Sequence, residues 1–156
     1  YPFKHSAQSR FSDGSFGVWY GADSIETTVY ETVHHWQRGL LDDANFTRPG
    51  IEIQRKIYTV RCDSLLIDLR PAIAIHPEIV HTSDYTATHA IGSKIHREGH
   101  PGLMTKSARS KAAGDVYALF TPKILSNPNH LCYLTYITTA NGVDIQQTPG
   151  MVWMRI

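Results

Sequence analysis

"SRFSDGSFGVWYGADSIETTVYE" (residues 9–31) decides the fold class, because a strand pattern passes directly into a helix pattern within it. The run "GVWYG" is short, apolar and aromatic, which predicts a strand ending at Gly21. A helix should follow at once. Either Asp23 or Ser24 can cap its N-terminus, and Glu26 stands three residues after Asp23, as in a capping box.

The helix that follows has one apolar face. Residues at helical spacing form the predicted buried stripe: Ile25, Val29, Val33, Trp36 and Leu40. On a helical wheel Glu31 lies nearly opposite that stripe, beside Thr27 and His34. The pattern therefore predicts that Glu31 faces water or a cleft.

The rest of the chain predicts one more long helix and a β-rich second half. The helix should begin at Ser83 or Asp84 and run to about Glu98, because Gly99 and Pro101 stop it. Strand-like runs are "IYTVRC", "LLIDL", "GLMT", "DVYALF", "HLCYLTYITT", "VDIQQ" and "MVWMRI". "TPKILSNPN" and "TANG" are predicted loops, with a hairpin turn at "NG". This order predicts an α+β fold with a mostly antiparallel sheet and two principal helices.

Length and composition favour one domain over residues 1–156 and exclude several functions. The chain is 42% hydrophobic, with a formal net charge of +1 and scattered basic residues, which is not the pattern of a nucleic-acid or membrane surface. No apolar run approaches the roughly 18 to 20 residues that span a bilayer, and no signal segment opens the chain. The start at Tyr1 suggests a segment cut from a longer protein.

Cysteines and histidines indicate neither a disulfide framework nor a metal site. Cys62 and Cys132 are expected to fill core strands in a reducing compartment, although the sequence leaves a single bridge open. Nine histidines occur without HExxH or CxxC spacing, and we predict no metal. The sequence contains neither GxGxxG, GxxxxGK[ST] nor GxSxG, so standard phosphate cradles and serine hydrolase elbows are missing.

Three segments carry a family resemblance: "RFSDGSFGVWYGADSIETTVYE", "LLIDLR" and "IGSKIHREGHPGLMTKSARSKAAGDVYALF". Together they resemble the RES domain family over most of the chain. The resemblance matches Arg10 to the "RFS" arginine, Tyr20 to the "YxA" tyrosine, Glu31 to the helix glutamate and Ser107 to the "SAR" serine. Thr105 and Lys106 depart from the apolar residue and proline common in the family.

The resemblance implies a fold, an activity and partners. RES proteins have an ADP-ribosyltransferase-like fold with a split sheet, and they attack NAD⁺ at its nicotinamide–ribose bond. NAD⁺ would be the substrate and no separate cofactor is implied. Many members are bacterial toxins silenced by an Xre-like antitoxin. The resemblance leaves open a toxin acting in its own cytoplasm or a secreted antibacterial effector that an immunity protein neutralises.

The four residue types suit this chemistry. Breaking the bond develops positive charge on the ribose, which the Glu31 carboxylate can stabilise as in glycosidases. The planar fork of Arg10 suits a pyrophosphate. Tyr20 can stack on nicotinamide or ribose and offer its hydroxyl, with Trp19 on the other face of the strand. Ser107 would hydrogen-bond ribose or phosphate, and no motif places a histidine base near it.

Two other functions remain open at this point. The same scaffold can transfer ADP-ribose to a protein instead of to water or phosphate. The position two residues before Glu31 is Val29, so the two-glutamate arrangement of arginine-specific transferases is absent and small acceptors are favoured. The alternative from another class is a non-catalytic module that binds a nucleotide or a partner.

Overall fold

The computed structural model describes residues 2–42, 45–46, 48–111 and 113–156, apart from the side chain of Leu40. Two helices lie at Ile25–Trp36 (α1) and Thr86–Arg97 (α2). A π-helical turn at Gln37–Leu41 continues α1, and short 3₁₀ turns lie at Arg70–Ala72, Pro77–Val80 and Pro122–Ile124.

The described residues form ten strands. They are Gln8–Ser9 (β1), Ser12–Asp13 (β2), Trp19–Ala22 (β3), Glu52–Cys62 (β4), Ile67–Asp68 (β5), Gly102–Lys106 (β6), Asp115–Leu119 (β7), Leu125–Thr139 (β8), Gly142–Thr148 (β9) and Met151–Arg155 (β10). Strands β1 and β2 form a hairpin, one four-stranded sheet has the order β3-β7-β6-β5, and the other has the order β10-β9-β8-β4. The pairings of β3 with β7, β6 with β7, β8 with β9 and β9 with β10 are antiparallel, whereas β5 and β6 are parallel. The fold is α+β and mostly antiparallel with two principal helices, as predicted.

The chain divides into two compact units. Unit 1 comprises Tyr1–Thr28 and Cys62–Ser126, and unit 2 comprises Val29–Arg61 and Asn127–Ile156. The core of unit 1 contains Phe11, Phe16, Val18, Ile95, Leu103, Ala118 and Phe120. The buried apolar residues of unit 2 are Val29, Val33, Trp36, Leu41, Leu134, Tyr136, Val143 and Ile145. Each unit therefore has its own core.

Helix α1 confirms most of the predicted stripe and one of its two predicted caps. Val29, Val33 and Trp36 are buried, Ile25 is half-buried, and the side chain of Leu40 lies outside the described part of the chain. The cap is Ser24, whose Oγ accepts the Thr27 N–H at 3.1 Å, and Glu26 is exposed.

The prediction that Thr27 shares an open face with Glu31 is wrong. Thr27 is 1% exposed, because Gly114 packs against it: a Cβ added at Gly114 would lie 1.9 Å from Thr27 Oγ1. The first turn of α1 is therefore covered on the side of Thr27. Asp23 also joins the start of α1 to the segment of Gly114, because its Oδ2 accepts the Asp115 N–H at 3.0 Å.

Helix α2 ends as the sequence predicts but begins at Thr86, two to three residues after the predicted start, because Ser83 and Asp84 lie in the turn before it. Gly99 has φ +81° just beyond α2, the left-handed conformation that ends many helices.

The predicted hairpin is present, with its loop one residue before the predicted "NG". Thr139 pairs with Gly142, which leaves Ala140 and Asn141 as a two-residue loop. None of the described helices combines the length and the hydrophobicity that a bilayer-spanning segment requires.

Two predictions about the second half and the cysteines are wrong. The predicted loop at 121–129 becomes strand β8 from Leu125 onward, although Pro128 and two asparagines stand in it. Both cysteines are free, and neither is in the core: Cys62 is exposed at the end of β4, and Cys132 is half-buried on β8.

Candidate active site

Arg10 lies at the tip of the β1–β2 hairpin. Ser9 pairs with Ser12, so Arg10 and Phe11 are the two turn residues. The Phe11 side chain is fully buried and anchors the turn in the core of unit 1, while the Arg10 side chain extends from it. Arg10 Nη1 donates a 2.7 Å hydrogen bond to the His81 carbonyl, and its Cζ lies 4.9 Å from the centre of the Tyr85 ring.

Tyr20 on β3 holds the residues on either side of Arg10. Its hydroxyl accepts the Phe11 backbone N–H at 3.0 Å and shares a 3.0 Å hydrogen bond with Ser9 Oγ. Burial raises the pKa of Tyr20, and the hydrogen bonds from Ser9 and Phe11 oppose that rise. Its hydroxyl is thus already engaged within the chain.

The two faces of β3 differ as the strand pattern predicts. The Tyr20 ring packs against the core of unit 1. The Trp19 ring lies over Gly21, where an added Cβ would stand 2.6 Å from it. Gly21 therefore leaves room for the indole on the face opposite Tyr20.

Ser107 organises the loop that follows β6. Its Oγ accepts backbone N–H groups from Arg109 at 3.1 Å and Ser110 at 2.9 Å. Its own N–H donates to the Gly114 carbonyl at 2.8 Å. These bonds close the loop on itself and fix where the Arg109 side chain leaves the backbone.

Sequence reasoning missed Tyr85 and Arg109. Arg109 Nη2 donates a 2.7 Å hydrogen bond to the Tyr85 hydroxyl, so Tyr85 contacts Arg10 with its ring and Arg109 with its oxygen. Arg109 is the third residue of the "SAR" motif, so a signal for it was present. Tyr85 belongs to no recognised motif and stands between the predicted cap and the first turn of α2.

A histidine fixes the turn that carries Tyr85. His81 Nδ1 accepts backbone N–H groups from Asp84 at 2.8 Å and Ser83 at 3.3 Å, and Asp84 Oδ1 accepts the Thr86 N–H at 2.9 Å. The His81 carbonyl is also the acceptor for Arg10. One short turn therefore positions both Tyr85 and the guanidinium that stacks on it.

Glu31 belongs to unit 2, unlike Arg10, Tyr20 and Ser107. It lies on α1 and is half-buried. The next residue, Thr32, shares a 2.8 Å hydrogen bond between its Oγ1 and the hydroxyl of Tyr136, which is fully buried on β8. Trp36 packs against the same tyrosine with ring centres 6.1 Å apart. These contacts fix the rotation of α1 on its own sheet and hence the direction of Glu31.

Metal-ligating groups are not clustered in the described residues: no three His, Cys, Asp or Glu side chains there could hold a metal ion together. The cluster of unit 1 consists instead of guanidinium and hydroxyl groups. Such groups bind phosphates and sugar hydroxyls.

The model of the RES domain family matches residues 1–139, which is most of the chain. The chain belongs to the RES domain family. Among curated proteins, no relative matches it. Membership of the RES family is consistent with a toxin-like function related to NAD⁺ and with an enzyme-like fold.

Two of the motif segments of this RES domain meet in unit 1. The "RFS" hairpin and the "SAR" loop both contact Tyr85, through Arg10 and Arg109 respectively, and Tyr20 supports the hairpin from β3. Arg10, Tyr20 and the segment of Ser107 thus form one connected cluster.

Proposed function

We propose that this RES domain cleaves the nicotinamide–ribose bond of NAD⁺ and passes the ADP-ribosyl group to water or phosphate, which depletes the NAD⁺ pool. The observation that carries the proposal is the convergence of the "RFS" and "SAR" segments on Tyr85 in a chain whose family membership is established. The convergence places two cationic side chains beside an aromatic ring, an arrangement suited to a dinucleotide.

The reaction is a substitution at the anomeric carbon of the ribose. The carbon–nitrogen bond breaks and its electron pair leaves with nicotinamide, which departs neutral. The ribose gains positive charge, and the Glu31 carboxylate stabilises it. An oxygen of water or phosphate then forms the new bond to the same carbon, and the attacking water loses its proton to solvent. The reaction needs no metal or separate cofactor.

The other residues bind and orient the dinucleotide. Arg10 offers its guanidinium to the pyrophosphate, which has no glycine-rich cradle in this chain. Because the hydroxyl of Tyr20 is engaged with Ser9 and Phe11, Tyr20 acts chiefly by holding Arg10 in place. Ser107 orders the loop beside the phosphates and adds a hydroxyl for ribose or phosphate.

A small acceptor is favoured over a protein side chain. Val29 occupies the position where arginine-specific transferases have a second acidic residue, and its side chain is fully buried. The position of Val29 therefore supplies no acidic group that could activate a protein acceptor.

The biological role follows from the chemistry. An enzyme that consumes NAD⁺ harms the cell that makes it, so we propose a toxin held inactive by a proteinaceous partner. That partner is an Xre-like antitoxin when the toxin acts in its own cytoplasm, or an immunity protein when it is secreted into a target cell. Copurification with the product of an adjacent gene, and loss of NAD⁺ cleavage in that complex, tests the proposal. A complex that retains full activity would contradict it.

The experiment that tests the activity follows the products of NAD⁺. The purified chain is incubated with NAD⁺ with and without phosphate, and nicotinamide and ADP-ribose compounds are separated by chromatography. We expect nicotinamide to be released together with ADP-ribose if water is the acceptor, or together with ADP-ribose phosphate if phosphate is the acceptor. ADP-ribose attached to a protein would indicate an ADP-ribosyltransferase. Binding of NAD⁺ without nicotinamide release would indicate a non-catalytic module and overturn the proposal.

A further inference from the structure

Strands β4 and β8 of unit 2 carry a cluster of exposed apolar and aromatic side chains. Tyr58 on β4 is 49% exposed, and Leu131 and Tyr133 on the neighbouring strand β8 are 50% and 54% exposed. The ring centre of His130 lies 5.8 Å from that of Tyr58 and 4.7 Å from that of Tyr133. Single exposed apolar side chains are common on protein surfaces, whereas a cluster of them indicates an interaction surface.

Lys56 adds a positive charge to this cluster. Its Nζ lies over both tyrosine rings, 5.1 Å from the ring centre of Tyr58 and 5.7 Å from that of Tyr133. Among the described residues, no carboxylate forms an ion pair with Lys56. The ring faces attract the ammonium group but do not neutralise it. Its charge is therefore available to an acidic group from outside the chain. The aromatic–lysine patch consists of Lys56, Tyr58, His130, Leu131 and Tyr133.

The charge of the two strands favours an acidic partner. Strand β4 contains three basic residues and one acidic residue, and β8 contains no Asp, Glu, Lys or Arg. The two strands together thus have a net charge of +2, whereas the whole chain has a net charge of +1. Positive charge is concentrated on the strands that carry the patch. Complementary charge on a partner would speed and orient its association.

The residue types of the patch favour a protein over a nucleic acid. Single-stranded nucleic acids are bound by several basic groups that follow the phosphates, together with rings that stack on the bases. The patch has one lysine, and it includes Leu131, whose aliphatic side chain has no face for stacking. Tyrosines beside apolar residues are typical of protein interfaces.

We propose that the aromatic–lysine patch docks a protein partner through an acidic side chain that pairs with Lys56. The apolar neighbours of that side chain pack on Tyr58, Leu131 and Tyr133. The two tyrosine rings order Lys56 in advance, and each tyrosine has only two side-chain torsions to fix, so docking costs little conformational entropy. That this partner is the protein that silences the toxin rests on the proposed function, whereas the docking itself does not depend on NAD⁺ cleavage.

The test titrates the purified product of the adjacent gene into the chain by calorimetry. Lys56→Glu should weaken binding at least about tenfold, because two carboxylates would then face each other. Tyr133→Ala should weaken binding about fivefold to thirtyfold, as expected for an aromatic contact at the centre of an interface. The matched controls should bind like the parent. They are Lys123→Glu, which makes the same change of charge at an exposed lysine of unit 1, and Trp153→Ala, at an exposed aromatic residue of β10.

A charge exchange distinguishes direct contact from a structural effect of the substitution. In the Lys56→Glu background, each exposed acidic residue of the adjacent gene product is changed to lysine in turn. One of these changes should restore most of the lost affinity, because it places opposite charges together again. A folding defect in the chain would not be corrected by a change in the partner. Failure of every such change to restore binding would contradict the pairing.

Two kinds of result would overturn the docking surface. One is equal binding of the adjacent gene product by the parent, Lys56→Glu and Tyr133→Ala, or no binding of it by the parent. The other is an oligouridylate, or a second copy of the chain, that binds the parent but not Lys56→Glu.

NAD⁺ cleavage by the chain alone is measured in parallel, so that the two proposals are tested separately. Partner binding through the patch without NAD⁺ cleavage would refute the proposed function and keep the docking surface. NAD⁺ cleavage with a partner whose affinity does not depend on the patch would do the reverse.

Discussion

Tyr20 illustrates how a motif residue can act on its neighbours. Its hydroxyl contacts Ser9 and Phe11, the residues that flank Arg10, so one side chain fixes the turn from both sides. The sequence assigns Tyr20 to the site only through the resemblance to the RES family. Its partners could not be derived, because they depend on the pairing of β1 with β2, two strands of two residues each.

Tyr20→Phe tests this role. The change keeps the ring in the core but leaves the part-buried N–H of Phe11 without its acceptor, which should cost about 1–3 kcal/mol of unfolding free energy. Arg10 should also be less well held, so KM for NAD⁺ should rise. Denaturant unfolding and steady-state kinetics measure the two effects, with Tyr58→Phe as the control. Parent-like stability and KM would show that the hydroxyl does not support the turn.

At the scale of elements, α2 supports the turn that carries Arg10. Gly92 lies on the buried face of α2, and a Cβ added there would stand 2.0 Å from the carbonyl oxygen of Phe11. The absence of a side chain thus allows the helix backbone to approach the hairpin turn. A glycine inside a helix pattern signals close packing, but the sequence does not say against which segment.

Gly92→Ala should therefore displace the hairpin. Because the nearest atoms are backbone, the strain cannot be relieved by a side-chain rotation, and we expect about 1–3 kcal/mol of destabilisation. NAD⁺ cleavage should fall as Arg10 moves. The control is Gly39→Ala, where an added Cβ meets nothing within 4 Å. Equal unfolding midpoints for the two variants in denaturant would contradict the packing argument.

Sequence patterns predict both helices and most of the strands. They are wrong where contacts between distant segments determine the local structure. Strand β8 begins at Leu125 because this stretch is incorporated into a four-stranded sheet, against the local preference of Pro128 for a loop. Thr27 is buried because Gly114 packs against it, which no helical wheel can show. Tyr85 could not be found from the sequence, because its contacts are with two arginines that are distant along the chain.

At the scale of the whole molecule, charge pairs join strand ends of unit 1. Arg70 contacts both oxygens of Asp68, at 2.9 and 2.8 Å, and donates to Asp115 at 2.7 Å. Lys106 completes the network with a 2.7 Å ion pair to Asp115. The network lies next to the loop of Ser107, because Lys106 is the residue before it. Hydrogen bonds from Arg70 lower the pKa of Asp68.

The lowered pKa predicts how stability depends on pH. Near pH 3 to 4 the unfolded state binds more protons at Asp68 than the folded state, so this contribution is present above about pH 4 and is lost as pH falls through the lowered pKa. Asp68→Asn should reduce the melting temperature at pH 7 and flatten its decline between pH 5 and pH 3. Melting curves across that range measure this effect. Parallel profiles for parent and variant would contradict it.

In the proposed reaction, Glu31 stabilises the cation that forms when the nicotinamide–ribose bond breaks. Glu31→Gln keeps size and most hydrogen bonding but removes the charge that stabilises the developing cation on ribose. The direct measurement is the rate of nicotinamide release from NAD⁺ by the parent and by Glu31→Gln. The melting temperatures of the two proteins are compared first, to check that the variant is folded like the parent. We expect unfolding free energy to change by no more than about 0.5 kcal/mol and the rate to fall about a hundredfold to a thousandfold. A variant that turns over NAD⁺ near the parent's rate would show that Glu31 takes no part in the chemistry.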